Sequence, residues 1–243
     1  RKMLFRIVLL SFSIAFLVFF FKETLFEVLL APCSSDFVTF DFVNRTLALL
    51  GDSDEIYGNH MELIATDLPS QFLAHMSMSL YIGILLSSPF IIYEIFKYIS
   101  PALYDNERKY SYRIVVAAYS LFVIGLFVSY YVLFPISCRF LASYSVSEHV
   151  KTMVTLDSYI STFVSLTFLM GIVFQLPVLS FFMAKIGVID ATIMTEYRKH
   201  AFVLILLVAA IITPPDVMTL ILVSLPLYVL YELSIIVVRL SQK

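Results

Sequence analysis

Several runs of about twenty apolar residues in this chain carry almost no charge, and each is long enough to cross a hydrocarbon core of roughly 30 Å. In lipid a backbone has to satisfy its own hydrogen bonds, which leaves only helices or closed barrels. Barrel strands alternate apolar and polar residues, whereas these runs are continuously apolar. The chain therefore reads as all-α, a polytopic integral membrane protein. Its composition of 60% hydrophobic and 14% charged residues is far from the soluble balance of roughly 25% charged.

The pattern sets six spans in a single domain covering 1–243, at about 4–21, 71–96, 114–133, 159–183, 201–212 and 217–238. The first span lacks an A-x-A-like cleavage site, and helix-like sequence runs on through Phe26 and Leu30, so it reads as a span and not as a removable leader. Pro32 ends that continuation. In the polar region that follows, Val38-Thr39-Phe40 reads as a short strand and Leu47 to Leu50 as a helical turn. Thr66-Asp67-Leu68-Pro69-Ser70 supplies helix-start residues for the second span, and Pro89 sits inside that span, where its missing donor bends a helix. Phe134-Pro135 closes the third span. The fourth carries Gln175 and Pro177, and the short fifth stops at Thr213-Pro214-Pro215-Asp216, with Asp216 placed to cap the sixth.

Six spans put both termini on one side. Lys and Arg decide which side that is. Arg1, Lys2, Arg6, Lys97, Arg108, Lys109, Arg113, Lys185, Arg198, Lys199, Arg239 and Lys243 fall on the side of the termini, and only Lys22, Arg45, Arg139 and Lys151 fall opposite. Cytoplasmic loops carry the positive excess, so the expected topology is N-in and C-in. Outer loops then cover 22–70, 134–158 and 213–216, and cytoplasmic loops 97–113 and 184–200. Cys33 and Cys138 both fall at outer ends of spans, where they read either as a disulfide or as two small buried hydrophobes.

Catalytic chemistry has little to stand on. The chain has no H-E-x-x-H, G-x-S-x-G or P-loop, no cysteine pair at metal spacing, and four histidines without i, i+4 partners. The reading is no enzyme, no metal, no cofactor and no nucleic acid. Polar groups near or inside the spans say more, because an unpaired one in hydrocarbon is expensive. Gln175 reads as an interhelical hydrogen bond or as a spot that admits water. Glu94 and Glu232, near the inner ends of spans two and six, read as snorkelling toward the interface. Glu107 reads as a first-turn acid after an Asn106 cap, or as a carboxylate on an aromatic platform (Tyr98, Tyr104, Tyr110) able to hold a guanidinium by paired charge-assisted bonds.

Tyr98-Ile99-Ser100-Pro101-Ala102-Leu103-Tyr104 followed by Glu107-Arg108, then Phe134-Pro135, Phe174-Gln175-Leu176-Pro177 and Thr213-Pro214-Pro215-Asp216, in this order on six spans, resembles the TatC family. That family is the multi-spanning receptor subunit of the twin-arginine protein translocase, and the resemblance covers essentially the whole chain. It implies a concave, glove-like bundle in a bacterial inner membrane that binds twin-arginine signal peptides of folded cargo on the cytoplasmic face. It also implies transport driven by the proton-motive force. Carried over position by position, it implies signal-peptide binding by Arg1, Tyr98, Pro101, Glu107 and Arg108. An intramembrane polar role falls to Gln175 and Asp216, and Pro32, Pro89, Pro135, Pro214 and Pro215 are structural. The implied partners are the single-span subunits TatA and TatB at spans five and six, other copies of the chain, and lipid. Relatives often carry Glu at the position of Gln175, so nothing that needs a titrating group transfers there. The rival format is a small-molecule secondary transporter. That class usually shows midplane ionisable residues and paired breaks in two halves, and the chain shows neither. The fifth span, at about twelve residues or roughly 18 Å, is short for a core of about 30 Å, which together with Gln175 points to a thinned, hydrated region.

Overall fold

The computed structural model describes residues 2–34, 37–40, 44, 61–99, 111–144, 152–213 and 216–242. In chain order the elements are α1 (Lys2–Phe19), α2 (Lys22–Leu30), a 3-10 turn (Ala31–Cys33), β1 (Leu63–Ile64), α3 (Ser70–Ile99), α4 (Ser111–Val128), a π turn (Ser129–Leu133) and α5 (Phe134–Ser143). Then come β2 (Val154–Thr155), α6 (Leu156–Val173), α7 (Leu176–Lys185), α8 (Ala191–Glu196), α9 (Arg198–Ile212) and α10 (Val217–Ser241). Among the described residues, five helical segments are long and apolar enough to cross a membrane: Lys2–Phe19, Ser70–Tyr98, Ile114–Ser143, Leu156–Lys185 and Val217–Ser241. The expected fifth span is α9, whose 15 residues make about 22 Å of helix, still short of a hydrocarbon core.

The chain divides into two compact units, residues 1–87 with 129–164, and residues 88–128 with 165–243. In the first, α1 is almost wholly exposed apolar surface and buries only Ser11 and Ala15. These two small residues are what permit its approach to α3. A Cβ on Gly83 would stand 2.5 Å from the Ala15 Cβ, and Ser11 and Ser87 share a hydrogen bond at 2.7 Å. α3 begins at Ser70, and the Ser70 hydroxyl donates to Asp157 at 2.9 Å on α6. A two-residue parallel pairing, Leu63 with Val154 and Ile64 with Thr155, joins the segments just before α3 and α6.

The core of this unit is aromatic. Phe134 meets Tyr159 and Phe163 edge-on, both at 5.0 Å, and Tyr81 meets Phe163 in the same way. Two tyrosine hydroxyls then finish α2. Helices leave their last four carbonyls without partners. Tyr130 donates to the carbonyl of Val28 at 2.6 Å and Tyr159 to that of Leu29 at 2.8 Å.

Three details depart from the sequence reading. Residues 38–40 form a helical turn where the sequence suggested a strand. The turn brings Phe37 and Phe40 to one side, with ring centroids 6.2 Å apart, so that Phe37 stacks on Tyr131 and Phe40 lies under Arg139. A strand would have sent these two rings to opposite faces. The expected helical turn at 47–50 falls outside the described residues.

The third span does not stop at Phe134-Pro135. It continues helically to Ser143 through the π turn. Proline has no N–H for the carbonyl four residues back, here Tyr131, and a broken helix was the natural expectation. Thr39 replaces that donor, its hydroxyl bonding the Tyr131 carbonyl. The fourth span, conversely, is two helices. It starts at Leu156 and breaks at Phe174–Gln175, where Pro177 occupies the first turn of α7.

In the second unit, α10 carries most of the packing. It has small and apolar residues buried along its length, including Val223, Leu227, Ile235 and Val238. The short α8 lays Ala191 and Met194 against Ile235 and Val238, with Tyr231 closing the cluster. Gly125 and Gly171 admit the rings of Phe174 and Phe122 respectively. Both internal prolines, Pro89 in α3 and Pro226 in α10, are preceded two residues earlier by a serine whose hydroxyl returns to the carbonyl three residues back, at 2.9 Å in each case.

Candidate functional site

The residues expected to bind a guanidinium lie mostly outside the described part of the chain. Arg1, Pro101, Glu107 and Arg108 are all in that position, as are Pro214 and Pro215. Tyr98 is described. It lies in the last turn of α3, one residue before its end, and it is 76% exposed.

Gln175 sits in the break between α6 and α7. The backbone there has left the regular helix, with the Gln175 N–H bonding the Ile172 carbonyl three residues back at 2.9 Å. The half-buried side chain donates from Nε2 to the Ala118 carbonyl at 3.1 Å, so it ties α7 to α4. Of the two sequence alternatives, this contact is the interhelical one.

Asp216 caps α10. Its carboxylate accepts from the Thr219 N–H at 2.7 Å and from the Thr219 hydroxyl. Thr219 is itself buried, so the cap fixes where the helix enters the unit. Replacing Asp216 with alanine should cost about 1 kcal/mol in thermal unfolding of the purified protein, and asparagine should recover most of it. An alanine variant as stable as wild type would remove the cap from the account.

Pro32 is buried in the first turn of the 3-10 segment, Pro89 lies within α3, and Pro135 is buried at the start of α5. Glu94 and Glu232 do not behave as the sequence suggested. Glu94 is buried at 4% exposure, so its carboxylate is not carried out to water. Glu232 accepts from Arg198 Nη2 at 2.8 Å, an ion pair between α9 and α10. Both partners are more than a third or about a third exposed, which limits the pair to about 0–1 kcal/mol. Its effect is positional: it fixes the entry of α9 beside α10, as does the Tyr231 hydroxyl on the Met194 carbonyl at 2.7 Å. Asp190, before α8, has its carboxyl held below the ordinary range, chiefly by the Thr192 hydroxyl. Sequence reasoning missed the Arg198–Glu232 pair and the two tyrosine caps. For Arg198, the available signal was an acid one turn inside the neighbouring span.

A helical chain whose long apolar elements are broken by proline and tied by single buried polar contacts is an integral, multi-pass membrane protein. The family described as "TatC: Sec-independent protein translocase protein (TatC)" matches residues 1–226. A Sec-independent protein translocase protein TatC of Blattabacterium sp. subsp. Periplaneta americana is 33% identical over 218 residues, covering 88% of this chain and 82% of that protein. TatCy of Bacillus subtilis is 33% identical over 191 residues, covering 79% and 74% of the two chains. Among solved structures, a crystal structure of the twin-arginine translocase receptor TatC superposes with a TM-score of 0.77 at 27% identity, covering 100% of this chain and 97% of that one. The chain belongs to the TatC family.

Proposed function

We propose that this chain is the signal-peptide receptor subunit of a twin-arginine translocase in a bacterial inner membrane. The observation that carries the reading is the likeness, over the whole length, to a solved twin-arginine translocase receptor. Six spans with both termini inside agree with the Lys and Arg distribution. In this topology Tyr98 and the segment holding Pro101, Glu107 and Arg108 face the cytoplasm, together with Arg1. Glu107 accepts the bidentate fork of a signal-peptide arginine, and Tyr98 offers a ring face to the same cation. TatA-like and TatB-like single-span partners dock along spans five and six, and further copies of the chain assemble around the same membrane site.

The test uses the purified protein and a peptide with two consecutive arginines ahead of an apolar stretch. Its double-lysine counterpart should bind about 10- to 100-fold more weakly, because lysine lacks the paired donors. Glu107→Ala and Glu107→Gln should each weaken the arginine peptide and flatten the difference. Equal binding of both peptides to all three proteins would remove Glu107 from the site. Failure of the wild type to bind either peptide would overturn the receptor reading.

The short α9 also supports a locally thinned bilayer beside Gln175. Spin labels along the lipid-facing side of 198–212 should report an oxygen-accessible, water-inaccessible band shorter than the usual core of about 30 Å. A band of full length would remove the thinning.

A further inference from the structure

We infer that Cys33 and Cys138 are an oxidisable pair that closes into a disulfide on the outer side of the membrane, tying the start of the first outer loop to the end of the third span. This rests on the orientation proposed above. The chain has only two cysteines, far apart in sequence, and the fold packs the elements that carry them against each other. Cys33 ends the 3-10 turn, and Cys138 lies in α5. Arg139, the next residue after Cys138, donates from Nη2 to the backbone carbonyl of Cys33 at 3.3 Å. Tyr159 links the two from another direction. Its hydroxyl donates to the Leu29 carbonyl at 2.8 Å, four residues before Cys33, and its ring packs edge-on at 5.0 Å against Phe134, one helical turn before Cys138 on the same face of α5.

Both thiols are free in the structure, Cys33 half-buried and Cys138 buried. A single buried cysteine is adequately explained as a small hydrophobe. Two that converge from separate elements, at the end of the molecule facing an oxidising compartment, suit a bridge.

The oxidant is a disulfide, either of a protein thiol oxidant or of oxidised glutathione. Cys33, the more accessible, attacks it as thiolate, forming a mixed disulfide and releasing one donor thiolate. The Cys138 thiolate then attacks the Cys33 sulfur, forming the intramolecular bond and releasing the second donor thiolate. The two cysteine protons end on the two donor sulfurs, and the donor disulfide takes up two electrons. Burial pushes the Cys33 thiol above its ordinary value, against the opposing effects of Tyr159 and Arg139. Closure should therefore quicken as pH rises from neutral.

The experiment traps thiols with N-ethylmaleimide as cells are broken and reads the intact mass of the purified protein. Wild type should carry no adduct without reductant and two after reduction. Cys33→Ser and Cys138→Ser should each expose one alkylatable thiol. In detergent, oxidised glutathione should close the reduced wild type, faster at alkaline pH. Two alkylated cysteines on the protein taken directly from cells would overturn the inference, even where glutathione closes the pair in detergent. Peptide binding measured on the same preparation reports the receptor reading separately.

Discussion

Gly83→Val is expected to detach α1 from the rest of its unit. A Cβ at this position would stand 2.5 Å from the Ala15 Cβ, 2.6 Å from its Cα and 2.7 Å from its backbone nitrogen. Two of these three atoms belong to a helix backbone, which cannot move aside without moving α1. Overpacking of this kind costs about 1–3 kcal/mol, and more where the backbone has to shift. The serine pair one turn along α3, Ser11 with Ser87, should be lost with it.

Three measurements distinguish this from general damage. Thermal unfolding of the purified protein should fall by the full overpacking cost. Ser11→Ala should then add nothing in the valine background, while it costs measurably alone. Ala15→Gly should fail to rescue, because the Cα and nitrogen remain. Gly171 makes the useful contrast, since its nearest atoms belong to the Phe122 ring and a smaller residue there should rescue a substitution. A Gly83→Val protein with wild-type stability would show that α1 is held by something other than this contact.

Tyr159→Phe should produce the second large effect, because it changes no shape. The ring is 1% exposed and its packing on Phe134 survives the substitution. What disappears is the hydroxyl, leaving the carbonyl of buried Leu29 without its donor. A buried carbonyl left unpaired costs about 1–3 kcal/mol. The measurement should be made in reductant, so that the state of Cys33 does not enter. Tyr130→Phe, at a half-buried ring, should cost less, because water can reach the Val28 carbonyl in its place. If the two variants are equally mild, α2 does not depend on these caps.

These two predictions also mark what the sequence could and could not say. Continuous apolar runs determine that the chain is helical almost unaided, because lipid leaves so few alternatives. They gave the starts of α3 and α10 to within a residue through Ser70 and Asp216. Contacts between helices were another matter. Gly83 is one glycine among six, and nothing local distinguishes it from Gly125 or Gly171, which also lie in apolar helices but meet phenylalanine rings. The passage of the third span through Pro135 was illegible for a similar reason, since its replacement donor, Thr39, is distant in sequence. Glu94 was misread because polarity near a span end suggests water, while its burial depends on neighbours from other helices. For the candidate site the resemblance supplied Arg1, Pro101, Glu107 and Arg108, and the described residues place Tyr98, Gln175 and Asp216.

The π turn at Ser129–Leu133 acts as a phase shift in the third span. A π turn holds an extra residue compared with an α-helical one, and each residue rotates a helix by about 100°. Every side chain after it, Phe134, Cys138 and Arg139 included, therefore points where it does because of one added position. Deleting a single residue from 129–133 would leave the apolar character of the span unchanged and the helix intact. It would also turn Arg139 away from Phe40. In this stretch the length of the sequence is as much a determinant of which side chains meet as its chemistry.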